Sequence, residues 1–235
     1  MGNIWFKPID FEIISNDAQT KYDAQTKYDT QTKYDANNDA NNKYSNFENN
    51  ILRLHNIARE RNGFKPLIWD KALQQRAEEW GNVMSTKRCG QMRHPGTGTD
   101  GTKEEIGKYL PGYNGQNLYQ SNGTKFENMQ YIPFDSSSPT EAVQKWYSEC
   151  NIYKPPIYGQ NIPDRFMEVG HMTQLLWKDT KKVGCSYTDC TDKIGERNTK
   201  GKIITCNYDK GNISGQFNEQ LPSDIFCEGK NEWIN

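Results

Sequence analysis

Apolar positions along this chain recur at helical spacing in four stretches and crowd into two strand-like runs, while the first 45 residues show neither pattern. Ser45-Asn-Phe-Glu48 has capping-box spacing, and Phe47, Ile51, Leu54 and Ala58 follow at offsets of four, three and four. That pattern predicts an amphipathic helix ending near Asn62-Gly63. His55 lies beside the stripe and is expected to bond nearby backbone within the fold. Asp70 is a suitable N-cap for a second helix, whose wide apolar face is marked by Leu73, Ala77, Trp80 and Met84. Ser138-Pro-Thr-Glu141 opens a third, with Val143, Trp146, Tyr147 and Cys150 as its buried face. Glu149 falls at the edge of that face, where a partly buried carboxylate needs a partner. Gly170 is read as the start of a fourth helix with Met172, Leu175 and Leu176 as its stripe. His171 would then lie in the first turn, where the positive end of the helix dipole favours a neutral ring. Val183 to Tyr187 and Lys202 to Tyr208 read as strands joined by a polar connection containing Cys190. The glycines of Gly211-Asn-Ile-Ser-Gly215 are expected to set a tight turn.

The opening stretch is a repeat. Asp17-Ala-Gln-Thr-Lys-Tyr22 recurs as Asp23 to Tyr28 and, with Thr30 for Ala, as Asp29 to Tyr34, and degenerate copies run on to Tyr44. A period of six matches neither the α-helix nor the heptad, and it supplies too little apolar surface to offset chain entropy. Residues 1–45 are therefore expected to be a disordered arm, read as a solvated tail in preference to a multivalent or immunogenic one.

Composition narrows the classes. The chain has 235 residues, of which 34% are hydrophobic and 25% charged, enough for one moderate domain beside a segment that does not pack. A net charge of -1 gives no electrostatic reason to expect nucleic acid. No apolar run is long enough for a transmembrane segment. The six cysteines lack the two-residue spacing of a zinc ribbon, which favours disulfides formed in an oxidising compartment; six allow about 15 pairings. Sequons at Asn122-Gly-Thr124 and Asn212-Ile-Ser214 agree with secretion to the extracellular space. Met1 to Asp10 lacks the apolar core of a signal peptide, so either the start of the chain is missing or export uses another route.

Gly170-His-Met-Thr-Gln-Leu-Leu-Trp177, followed by Val183-Gly-Cys-Ser-Tyr187, resembles the most diagnostic signature of the CAP superfamily of cysteine-rich secretory, antigen 5 and pathogenesis-related proteins. Leu54 to Arg59, the run PLIWDKALQQRAEEWG, Gly115-Gln-Asn-Leu-Tyr119, Trp146-Tyr-Ser-Glu149 and CNYDKGNISGQ resemble other family segments in the right order, covering about residues 47–221. The resemblance implies an α+β fold, a three-layer α-β-α sandwich with a small, mainly antiparallel sheet stapled by disulfides. It divides the chain into the arm 1–45, a CAP domain 46–221 and a short tail 222–235, with Cys227 expected to staple the tail back.

The same resemblance gathers His94, Gln116, Glu149 and His171 around one cleft. His94, Glu149 and His171 could hold Zn²⁺ or another divalent cation, although no cofactor is required by the reading. Gln116 stands where the family usually has Glu, which removes a negative charge and a proton acceptor. With no H-E-x-x-H motif and no activated Ser or Cys, a metal-dependent hydrolase is the second reading, and a non-enzymatic binding protein the first. Its partners would be a sterol or other lipid, or an extracellular protein. Phe126, Tyr131 and Phe134 lie in a long loop where sterol-binding relatives use aromatic residues, and packing of these aromatics onto the domain is preferred over that reading. A third reading is a structural or antigenic protein acting through the repeat arm.

Overall fold

The computed structural model describes residues 45–87, 92–97, 101–112, 114–121, 138–157, 160–194 and 197–227. Phe126, Tyr131 and Phe134, Cys89, the sequon at Asn122 and the repeat arm to Tyr44 lie outside the described residues. The elements run α1 (Ser45–Arg61), β1 (Ile68–Trp69), α2 (Lys71–Lys87), α3 (Lys103–Tyr109), β2 (Gly115–Ser121), α4 (Ser138–Ser148), a 3₁₀ turn (Glu149–Ile152), α5 (Phe166–Leu176), β3 (Lys182–Ile194), β4 (Arg197–Tyr208) and α6 (Phe217–Gln220).

The four strands form one sheet in the order β1-β3-β4-β2, antiparallel except for the short β1–β3 pair. Side chains alternate across it with period two. Ile204, Cys206 and Tyr208 of β4 join a core with Ile51 and Leu54 of α1, Val143 and Trp146 of α4, and Leu175 and Leu176 of α5. Ile203 and Leu118 point the other way, into a smaller core with Trp80 and Met84 of α2 and Tyr109 of α3. Helices therefore cover both faces, and the three-layer α-β-α sandwich is the fold. Close approach on the second face is built in: a Cβ on Gly184 would stand 2.2 Å from Gln74 N.

Several expectations hold. Asp70 Oδ1 accepts from Ala72 N at 3.0 Å and Leu73 N at 3.1 Å, capping α2. His55 Nδ1 lies 2.7 Å from Ile51 O, the backbone bond expected of it. Cys150–Cys227 ties the tail to the 3₁₀ turn, and Cys185–Cys206 bridges directly opposed residues of β3 and β4.

Others are corrected. Glu48, read as half of a capping box, instead accepts from Lys71 Nζ at 2.7 Å and from Gln74 Nε2, so it joins α1 to α2. Both predicted strands run further into the connection than expected, pairing as far as Ile194↔Arg197. The short helix Lys103–Tyr109 adds to the expected elements; Thr102 and Glu105 have capping spacing, and Glu105 N donates to Thr102 Oγ1 at 3.4 Å.

The guanidinium of Arg59, fully buried, holds α5 in place. It donates to Leu175 O at 3.0 Å, Trp177 O at 2.9 Å, Thr180 O at 3.1 Å and Lys65 O at 2.9 Å. Leu175 O and Trp177 O stand at the C-terminal end of α5, where a cation is favoured. Burial lowers its pKa to about 10, which leaves it charged at neutral pH. No helix among the described residues is long and apolar enough to cross a membrane.

Candidate functional site

α5 begins at Phe166, more than a turn before Gly170, with Arg165 in the left-handed conformation at its N-cap (φ 57°). Phe166 packs edge-to-face on Phe217 at 5.6 Å, which gives the helix an apolar anchor upstream of the predicted stripe. His171 is therefore in the second turn, and the expected dipole effect on it does not apply, because that effect fades within the first turn. What its ring meets is Glu149. Nδ1 donates to Glu149 Oε1 at 2.6 Å, Met172 N donates to Oε2 at 3.0 Å, and Trp146 stacks on the ring at 6.2 Å with 16° between planes. Both carboxylate oxygens are thus engaged by α5, and the edge-of-face glutamate has found its partner.

His94 reaches the site from the segment before α3. Arg93 fixes that segment: its guanidinium pairs with Glu105 through Nη1 at 2.8 Å and Nη2 at 2.9 Å, and it lies over Trp80 at 4.9 Å. The Arg93 bonds pull the Glu105 carboxyl down to about 2. Trp80 Nε1 in turn donates to Arg93 O at 3.0 Å.

A run of amides orients the His94 ring. Asn207 Nδ2 donates to Tyr109 O at 3.4 Å, which leaves Asn207 Oδ1 to accept from Gln116 Nε2 at 2.9 Å. Gln116 Oε1 must then face His94 Nδ1, 2.9 Å away, so Nδ1 carries the proton and Nε2 keeps its lone pair. Although His94 keeps an exposed flank, burial of its ring is the first cause lowering its pKa; the Gln116 bond opposes this and His171 adds to it.

A second polar chain runs beneath β2. His55 donates from Nδ1 to Ile51 O, so Nε2 accepts from Tyr208 OH at 2.8 Å. Asn117 Nδ2 donates to Tyr208 OH at 3.1 Å and to His171 O at 3.0 Å. Alternation along β2 sends Gln116 to the α3 face and Asn117 to the α5 face, so this edge strand serves both histidines.

His94, Gln116 and His171 line one cleft of about 500 Å³, together with Asn117, Phe166, Met167, Gly170, Gln174, Gly211, Asn212 and Ile213 among others. Three of the four expected site residues line it; Glu149 stands behind His171. Of the two glycines expected to set a turn, Gly211 lines the cleft and Gly215 takes a positive φ of 86°. Asn117, Asn207 and Tyr208 were not singled out in the sequence, although the last two lie in the CNYDKGNISGQ segment.

A separate grouping of His55 with Cys185 and Cys206, ligand atoms within 4.8 Å, has no metal-binding capacity. The two sulfurs are joined to each other, and both nitrogens of His55 are already bonded.

A model of the cysteine-rich secretory protein family, CAP, matches residues 52–208. The chain is 31% identical over 175 residues to pathogenesis-related protein PR-1 of Medicago truncatula, spanning 74% of this chain and 80% of that protein. It is 30% identical over 159 residues to venom allergen 5 of Vespula maculifrons, spanning 67% and 56% respectively. Among solved structures, venom allergen-like protein 4 of Schistosoma mansoni aligns over 75% of this chain and 96% of its own, with a TM-score of 0.48 and 18% identity.

Proposed function

The chain belongs to the cysteine-rich secretory protein family, CAP, and from that premise we propose that it is an extracellular binding protein whose cleft holds a divalent cation such as Zn²⁺ between His94 and His171. The observation that carries this is the pairing of Nδ1 on each ring, with Gln116 Oε1 and with Glu149 Oε1, which leaves both Nε2 atoms as donors in one cleft. Imidazoles that bind metal are commonly backed in this way through the other nitrogen. The rings fit the group chemically: neutral imidazole is a zinc ligand, and burial favours neutral His94.

Glu149 is assigned an outer role, orienting the His171 ring through Nδ1, in place of the direct ligation expected from sequence. Binding is favoured over hydrolysis because neither acidic position offers a free base. Gln116 is an amide, and both Glu149 oxygens are engaged. The two described disulfides support an oxidising, extracellular location. We assign residues 46–221 to the binding domain, 1–45 to a tethered arm and 222–235 to a stapled tail.

The test is calorimetric titration of the metal-stripped full chain with Zn²⁺, beside the His94→Ala/His171→Ala double variant. One equivalent bound by the parent and lost in the variant is expected. Equal binding by both proteins, or by neither, would sink the assignment.

A further inference from the structure

His94 stands outside the regular elements, yet one short helix grips its segment from both sides. Arg93, just before it, donates both arms of its guanidinium to Glu105 of α3, and Gly96 N, just after it, donates to Glu105 Oε2 at 3.1 Å. Ile106 occupies the space that a side chain at Gly96 would need: a Cβ there would stand 2.5 Å from Ile106 Cγ1, on a backbone with φ 74°. At the far end of α3, Tyr109 O accepts from Asn207 Nδ2, the first bond of the amide run that ends on His94 Nδ1. Position and tautomer of this ring therefore both depend on α3.

The helix itself has little to hold it. Of its seven residues only Tyr109 is buried, against Trp80 at 5.1 Å, and Ile106 is 43% exposed. Gly107 lies in the helix interior with open space where its Cβ would be, so it weakens the helix and no packing requires it. A segment with so few buried apolar contacts opens locally more readily than the core.

Resting on the metal-binding reading above, we infer that α3 is a clamp whose seating is coupled to cation binding, with Glu105 as its positioning residue. Seated, α3 presents His94 to the cation; lifted, it takes the ring away from His171. A cation that needs both imidazoles binds only the seated form, and holds α3 down by the same factor.

The test is hydrogen exchange of the full chain, read by mass spectrometry. Without metal, amides of residues 107–110 should exchange faster than those of α5. With Zn²⁺ at about 100 times its Kd, they should slow by up to about a hundredfold. Glu105→Gln should speed their exchange and weaken Zn²⁺ about tenfold, because apparent affinity falls with the seated fraction. Adding Gly107→Ala, which touches no neighbour, should recover about fourfold of that affinity by favouring the helix. Should Glu105→Gln fail to fold, the exchange measurements on the parent chain decide alone. Zn²⁺ bound with α3 exchange unchanged overturns this inference and leaves the metal reading standing. Parent-like affinity in Glu105→Gln, or no recovery on adding Gly107→Ala, also overturns it. Failure of the parent to bind Zn²⁺ removes both.

Discussion

His171 Nδ1 donates to Glu149 Oε1 at 2.6 Å across the junction between the 3₁₀ turn and α5. The same carboxylate accepts from Met172 N at 3.0 Å, so backbone and side chain of α5 are both referred to one group. Glu149→Gln keeps a carbonyl for one of these bonds but removes the negative charge behind the ring. Zn²⁺ affinity should fall about tenfold to a hundredfold, the usual effect of losing such a backing group, with little change in the melting temperature. Titration of this variant beside the parent checks it; unchanged affinity would show that Glu149 is structural only.

The tautomer of His94 depends on a residue it never touches. Asn207 anchors the Gln116 amide, and Asn207→Ala would let that amide turn over and offer its NH₂ to the ring. Long-range nitrogen–proton NMR spectra of the imidazole should then change from one tautomer to a mixture. Persistence of a single Nδ1–H tautomer in the variant would contradict the relay.

Acid should destabilise the fold through His55. Burial, the largest cause, lowers its pKa from 6.5 to about 4, with the Ile51 bond opposing and Arg59 adding to the shift. Above pH 6.5 the ring is neutral in both folded and unfolded chains, and this contribution is fully present. As pH falls from 6.5 towards 4 the unfolded chain takes up the proton first, and about 3 kcal/mol of stability is lost. His55→Gln should be less stable at neutral pH but show a flatter decline across that window in urea denaturation. His94 contributes in the same direction.

Gly115 is where β2 enters the cleft. A Cβ there would stand 1.8 Å from Gln174 Oε1 and 2.9 Å from Gly211 Cα. Gln174 is held by its bond to Lys210 O at 2.8 Å, so it has little freedom to retreat. Gly115→Ala should cost about 1–3 kcal/mol and weaken Zn²⁺ binding, measured by thermal denaturation and calorimetry on one preparation.

The sequon at Asn212 should be silent in folded protein. Asn212 Nδ2, the atom a glycan would occupy, donates to Gly170 O at 3.0 Å, and Asn212 Oδ1 is buried without a partner. Peptide mapping of protein secreted from a eukaryotic host should find this asparagine unmodified; a full-occupancy glycan on well-folded protein would refute the packing argument.

Sequence by itself determined the helices whose apolar residues repeat at three and four, the Asp70 cap, and the order of the family segments, because each is fixed by neighbours within a few residues. Phe47, Ile51, Leu54 and Ala58 are all buried as their spacing required. It also indicated His94, Gln116 and His171 as companions, through the resemblance and not through spacing. Tertiary structure alone decided that α5 starts at Phe166, since the anchor is a contact with Phe217 far along the chain. It decided that Glu149 backs His171, that Asn207 sets the tautomer of His94, and that Arg59 closes α5. Each of these is a hydrogen bond between residues 22 to 121 positions apart. Local periodicity carries no record of such pairs, because a polar side chain reads the same in sequence whether it meets water or a buried partner.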